Sequence, residues 1–380
     1  MQKGDSTGKN SFIWNEDLCE LITPVYKVKL TDDGISYVEK VKDGTRVFDN
    51  GEGELFTAYV DTVPCKSKGQ WNVSVFSHYA IATQNGHIGS VPYVFEMRFN
   101  GDNLRIDCKV NFEIHNQKIG LTGIAEGLKK SLTIDGHRHE EKLNFIMNVC
   151  VDNDRRMVRD LPFAISDWNG AVRKNESYWY PEDDIRYDVE VSAEESFNSS
   201  TYMQGVYWLA LRDKKRGVSV INRGCMGSVV QGNRLLIPLV YADSYMCGTK
   251  MLDGIYNDEF SILPLDESIS DADLHKMALS YEYQPRVFKL EKGNGDLSEY
   301  RIADFCDNFS DVILTTYFYE DGAFFARFCN YSDEQASVNF EILEAKSVKI
   351  SDLLGNEVSD VDGTKLDFRP WEIKTIKIVK

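Results

Sequence analysis

Apolar and polar residues alternate with a period of two along most of this chain. In the clearest run, residues 104–114, Leu104, Ile106, Cys108, Val110, Phe112 and Ile114 fall on one side, with Arg105, Asp107, Lys109, Asn111 and Glu113 on the other. Successive side chains of a strand point to opposite faces, so the run predicts an antiparallel strand with one buried and one wet face. Shorter runs of the same kind occur at 93–99, 144–151, 207–211, 218–221 and 235–241. Between the runs stand Asp33-Gly34, Asn85-Gly86, Asn100-Gly101, Asp135-Gly136 and Gly232-Asn233, dipeptides that tolerate the positive φ of tight hairpins. Many short strands without long helices between them predict an all-β chain built of sandwiches.

One helix interrupts this pattern, over residues 271–281. Ser270 or Asp271 is placed to cap it, and Leu274, Met277, Ala278 and Tyr281 are expected on one face. Residues 290–300 are polar and contain Lys292-Gly293-Asn294-Gly295-Asp296, a linker or long loop. Strand-like runs resume at 312–318, 323–328, 336–342, 347–350 and 373–379, the size and rhythm of a small separate sandwich. The expected organisation is a polar leader over residues 1–18, a large β domain over 19–283, a linker over 284–308 and a C-terminal sandwich over 309–380.

Charge narrows the classes of partner. Lys and Arg number 43 against 60 Asp and Glu, a net charge of −17, and such a field repels nucleic acid and anionic membrane surfaces. Residues 1–9 are polar and no later run has the roughly 20 apolar residues of a membrane span, so a soluble, cytoplasmic protein is expected. The eight cysteines are scattered singly, with no C-x-x-C pair, and read as small buried hydrophobes rather than disulfides or zinc ligands. Five glycosylation sequons, at Asn72, Asn175, Asn198, Asn308 and Asn330, would meet no glycosylation machinery in that compartment.

Candidate chemistry is sparse. His137 and His139 flank one residue and could share a strand face for zinc, but they follow Asp135-Gly136 and precede Glu140-Glu141, as in an exposed turn. Asp152 with Asp154, Glu182 with Asp183 and Asp184, and Asp271 with Asp273 offer paired carboxylates, yet read more plainly as solvated loops. No G-x-S-x-G, H-E-x-x-H, P-loop or G-x-G-x-x-G spacing occurs, and no catalytic or metal-binding residue is assigned. Aromatic residues in apparent loops are better candidates: Trp71, Trp168 beside Asp167, and Tyr180 in the cluster Tyr178-Trp-Tyr180. A pyranose stacks its apolar face on such a ring while neighbouring acids and amides bond its hydroxyls. The plainer reading of each Trp is a core residue.

Several segments resemble one family. Phe368-Arg-Pro-Trp-Glu-Ile-Lys-Thr-Ile-Lys-Ile looks like the terminal strand of family 38 glycoside hydrolases, the α-mannosidase family. Gly205-Val-Tyr-Trp-Leu-Ala-Leu, Arg216-Gly-Val-Ser-Val-Ile-Asn-Arg-Gly224 and Asn233-Arg-Leu-Leu-Ile-Pro-Leu239 resemble its central segment. Looser matches are Val151-Asp-Asn-Asp-Arg-Arg with Leu161-Pro-Phe163, Tyr59-Val-Asp61 with Gln70-Trp71, and Ser347-Val-Lys-Ile-Ser-Asp-Leu-Leu354. The resemblance runs from about residue 18 to the end. It implies a large supersandwich of the galactose-mutarotase type, a small terminal sandwich, and packing against a catalytic barrel that carries the zinc and the nucleophile. Neither the family's His-x-Asp motif nor its His-His-Asp segment is present here, and none of the six histidines sits in such a motif. Zinc is therefore expected only in a barrel outside this sequence, with no cofactor in this chain.

Two readings follow. In the first, the chain is the non-catalytic, carbohydrate-facing β portion of an α-mannosidase-like enzyme, with a mannose-containing glycan and a separate barrel chain as partners. In the second, it is a stand-alone carbohydrate-binding or mutarotase-like protein. Mutarotase chemistry needs a carboxylate base and a histidine acid, and His115 beside Glu113 offers that pair, on a wet strand face.

Overall fold

In the computed structural model the described residues are 12–61, 63–120, 142–168, 201–223, 227–241, 252–284, 303–304, 311–342, 345–361 and 363–379. They form two compact units, Met1–Arg159 with Asp167–Ser268, and Asp160–Ser166 with Ile269–Lys380. The alternation of the sequence is realised in both.

The first unit opens with a five-stranded antiparallel meander, Ile13–Asn15, Glu20–Ile22, Tyr26–Thr31, Gly34–Lys40 and Arg46–Glu54, paired in chain order. A fourteen-stranded sheet follows. Its centre is a run of sequential hairpins: Phe56–Val60, Val63–Val75, Tyr79–Ile88, Val91–Asn100 and Ile106–His115, with Asp253–Asp266 antiparallel to the last. To one side the order continues through Arg216–Asn222, Trp208–Arg212, Arg156–Leu161 and Ala164–Trp168. To the other it continues through Lys142–Asn148, Arg234–Tyr241, Gly227–Gln231 and Thr201–Gln204.

The expected run at 104–114 becomes Ile106–His115. Ile106, Cys108, Val110, Phe112 and Ile114 are buried, and Lys109 and Glu113 are exposed. The core it faces is aromatic. The Phe56 ring meets Tyr93, Phe95, Phe112 and Phe145 edge-on at centroid distances of 4.9, 5.5, 5.2 and 6.1 Å, a geometry that sets ring edges against ring faces.

Asp33-Gly34 and Gly232-Asn233 lie at hairpin turns, with Gly34 and Gly232 at φ of 142° and 64°. Asn85-Gly86 does not turn. It lies inside Tyr79–Ile88, paired with Gln70 and Gly69. Glycine is needed there for close approach rather than for positive φ: a Cβ on Gly69 would sit 2.5 Å from the Asn85 carbonyl oxygen, and one on Gly86 would sit 2.5 Å from that of Lys68. Asp135-Gly136 falls outside the described residues.

The second unit is a small sandwich. Its five-stranded antiparallel sheet runs Val312–Glu320, Ala323–Asn330, Ile373–Val379, Ser347–Ser351, Glu357–Asp360. Ala336–Asn339 pairs with Lys365–Phe368 as a second layer, and Val312, Ala326, Phe328, Val338, Leu366 and Ile376 are buried in one cluster. The expected run at 336–342 is two strands, broken at Phe340, whose N–H turns to the Thr364 carbonyl at 2.9 Å. The helix is Asp271–Glu282, capped by Ser270, whose hydroxyl accepts from the Asp273 N–H at 3.0 Å. Its buried face differs from the expected one: Met277 is 37% exposed and His275 3%. At about 100° per residue, position 275 falls between 278 and 272, both buried, whereas 277 lies beyond 281 at the margin of the buried face. No helix among the described residues is long and apolar enough to cross a membrane.

Candidate functional site

A groove on the first unit arises where one strand outruns its neighbour. Val63–Val75 pairs with Phe56–Val60 as far as Lys66, and from Ser67 to Val75 its ladder partner is Tyr79–Ile88, on one side. Along the other edge the Gly69 N–H donates to the Asp32 carbonyl at 2.8 Å. Beyond that point lies an open groove of about 740 Å³, walled by Trp14 and Glu16 from the N-terminal meander and by Trp71 and its neighbours. The alternation places Lys68, Gln70 and Asn72 outward on the first strand, and the register sets His87 opposite Lys68 and Asn85 opposite Gln70.

Trp71 is held from behind. Its indole N–H donates to the Thr31 carbonyl at 2.8 Å, and its ring stands edge-on to Phe95 at 6.3 Å. The wall is tied further by Gln84, which is 0% exposed: its amide donates to the Asp32 carbonyl at 3.0 Å, and its carbonyl accepts from the Tyr93 hydroxyl at 2.7 Å. Burial pushes the Tyr93 phenol above its ordinary range, so it stays a donor at every working pH. A buried amide that meets donor and acceptor at fixed distances gives the groove one geometry.

Trp71 and Trp168, expected in loops, both lie in strands. Polar neighbours marked them as loop residues, but those neighbours are the wet half of an alternating strand. Trp168 ends Ala164–Trp168 and packs, partly buried, against the core. Asp167 beside it is ion-paired with Arg156 at 2.5 Å. In the sheet order seven strands separate this strand from that of Trp71. Tyr180 falls outside the described residues, as do His137, His139 and Glu182-Asp183-Asp184. Trp14, which pattern reading misses, sits in a three-residue strand, too short for alternation to register.

The other candidates resolve as surface or packing groups. His115 and Glu113 lie on the exposed face with 2.7 Å between them, and Asp253 is 3.5 Å from the other ring nitrogen. The hydrogen bond to Glu113 raises the imidazole above its usual value. Asp152 and Asp154 pair with Arg216 and Lys214 at 3.3 and 4.0 Å. Asp271 and Asp273 occupy the first turn of the helix, where negative charge complements the helix dipole. Asn330 is buried with its amide engaged. Asp258, which pattern reading passes over, is partly buried opposite Val110 on the core-facing side, and burial pushes its carboxyl up to about 6. Among the described residues no group of three or more His, Cys, Asp or Glu side chains is placed to hold a metal ion. Cys19, Cys65, Cys108, Cys150 and Cys329 are free thiols. Cys108 and Cys329 are buried, Cys65 and Cys150 partly so, and Cys19 is exposed, against expectation, at a left-handed turn with φ of 46°.

Residues 312–376 match the family 38 glycosyl hydrolase C-terminal beta sandwich domain. Across 97% of the chain the fold superimposes on an alpha-mannosidase from Enterococcus faecalis V583, with a TM-score of 0.68 and 9% identity. It superimposes equally on a glycosyl hydrolase family 38 protein from Enterococcus faecalis, with a TM-score of 0.68 and 10% identity. The chain spans less than half the length of either, 43% and 45%. A galactose mutarotase related enzyme from Lactobacillus acidophilus matches 65% of this chain over 97% of its own, with a TM-score of 0.34 and 10% identity. No curated protein matches the chain. In fold over nearly its whole length, and in sequence over its terminal sandwich, the chain is similar to the C-terminal β region of family 38 glycosyl hydrolases.

Proposed function

We propose that this chain is the non-catalytic, carbohydrate-facing β portion of an α-mannosidase-like hydrolase, working packed on a zinc-dependent catalytic barrel supplied from outside it. The observation that carries this reading is the match in fold to an alpha-mannosidase, which covers 97% of this chain. Chemistry would then reside in the barrel, which brings the metal and the nucleophile, while this chain supplies part of the wall that faces the glycan. The free thiols suit a reducing compartment, and we place the protein in the cytoplasm.

Reconstitution tests the reading. Mixed with a separately produced barrel of a family 38 relative, the chain is expected to raise hydrolysis of an aryl α-mannoside above that of the barrel alone, and to show none by itself. Equal rates with and without the chain, or cleavage by the chain unaided, would refute it. The groove favours a second reading, a stand-alone carbohydrate-binding protein, because all its walls come from this chain's first unit.

A further inference from the structure

We propose that the groove between Trp14 and the open edge of Val63–Val75 is a subsite for a neutral oligosaccharide, which stacks a ring on the Trp14 indole and bonds its hydroxyls to the amides of Gln70, Asn72 and Asn85. That the sugar is mannose-containing rests on the function proposed above; the subsite itself does not.

Three features point to a sugar. The first is the Trp14 indole, which lines the groove and is packed, partly buried, against the core. A ring already immobilised loses little entropy when a pyranose settles on it. The second is the chemistry of the outward row. Each amide carries two donors and an acceptor oxygen, the complement of vicinal hydroxyls that both give and take hydrogen bonds. Gln70 and Asn85 are cross-strand partners, so their amides stand side by side. The third is size and charge. About 740 Å³ is within the range of ligand sites, and the net charge of −17 disfavours a polyanion.

An extended peptide added to the strand edge is the competing occupant. The Gly69 N–H is already taken by Asp32, which shortens the ladder a peptide could extend, and Trp14 stands across the groove.

Calorimetry and tryptophan fluorescence on the full chain alone, with mannotriose, maltotriose, methyl α-mannoside and an alternating Val-Thr peptide as probes, decide the matter. Saturable binding of a trisaccharide at millimolar concentrations is expected. Trp14→Ala should weaken it about tenfold, roughly 1.4 kcal/mol, Asn85→Ala should weaken it severalfold, and Trp14→Phe should restore most of the loss. Asn85 is exposed, so its variant reports on binding even should Trp14→Ala misfold. No saturable binding of either trisaccharide, binding unchanged in both Trp14→Ala and Asn85→Ala, or binding of the peptide alone overturns the subsite. Binding of maltotriose without mannotriose upholds the subsite and removes the mannose class. Failure of the barrel reconstitution with sugar binding intact refutes the proposed function and leaves the subsite standing.

Discussion

The two units share one device and use it for different ends. Each contains an amide, Gln84 in the first and Asn330 in the second, that is 0% exposed and holds main-chain carbonyls. Gln84 reaches back 52 residues to Asp32 and braces the wall behind Trp71. Asn330 donates to Glu334 at 2.7 Å and to Arg369 at 3.0 Å, closing the sandwich just before its last strand. Their cores differ as well: four aromatic rings meet Phe56, whereas Phe328 meets Phe368 at 6.4 Å in a smaller cluster shared with Val312, Val338, Leu366 and Ile376. In the first unit the buried amide stands behind the strand that borders the groove; in the second, the same chemistry serves closure.

The sharpest test of that contrast is truncation of the two phenylalanines. Phe56→Ala removes a ring from a fully buried cluster and should cost about 3–5 kcal/mol through lost transfer energy and a residual cavity. The edge-on ring packing that disappears with it places the effect toward the upper end, and Phe328→Ala should fall toward the lower end. Hydrogen exchange read by mass spectrometry locates each loss: protection should fall first among the first unit's strands for Phe56→Ala and first among 312–376 for Phe328→Ala. Equal losses, or losses in the wrong unit, would break the comparison.

A smaller effect separates the two amides. Asn330→Asp turns two donated hydrogen bonds into a carboxylate facing two carbonyl oxygens and keeps the Ser332 N–H as a donor, and Gln84→Glu sets a carboxylate against the Asp32 carbonyl and keeps the Tyr93 hydroxyl as a donor. Each should therefore cost about 2–3 kcal/mol near neutral pH. In both, burial raises the folded-state pKa of the new carboxyl above the unfolded 3.9 or 4.3. Stability should then be retained below about pH 4 and lost as pH rises through the folded value. Urea unfolding at pH 4 and pH 7 checks the sign, and a loss that grows toward acid would contradict it. Gln84→Glu should also shift Trp71 fluorescence, whereas Asn330→Asp should leave the groove unaltered.

The contrast also explains what the sequence disclosed. The terminal segment from Phe368 to Ile378 is legible because its features are local: Trp371 adopts a left-handed φ of 56°, and Glu372 accepts from the Arg369 N–H at 2.8 Å within three residues. The run at 104–114 is legible because a period of two over ten residues has no helical counterpart. Glu357–Asp360 escapes notice because all four residues are exposed, leaving no alternation to see. Asn85-Gly86 misleads because close approach between strands and a turn demand the same residue. The groove is illegible for a topological reason: Trp14 and Trp71 lie 57 positions apart in the numbering and meet only because a strand outruns its ladder partner at Lys66.

The smallest effect concerns acid, and it belongs to the second unit. His275 is buried in the helix, its ring stacked on Tyr331 at 4.5 Å, with Asp160 3.8 Å from its Nδ1. Burial pulls the imidazole down to about 4, against the opposing pull of the Asp160 carboxylate. An unfolded histidine titrates near 6.5, so between about pH 6.5 and 4 the unfolded chain binds a proton that the folded chain refuses. Stability should be full above pH 6.5 and fall as the medium is acidified, by about 1 kcal/mol between pH 6 and pH 5. His275→Gln should flatten that slope while lowering stability throughout, since it also removes the ring stack. The first unit has no buried counterpart among its described histidines, His78, His87 and His115, which are all exposed. Hydrogen exchange at pH 5 and pH 7 should therefore show acid loosening the second unit before the first, and a slope unchanged in His275→Gln would assign that loosening to another group.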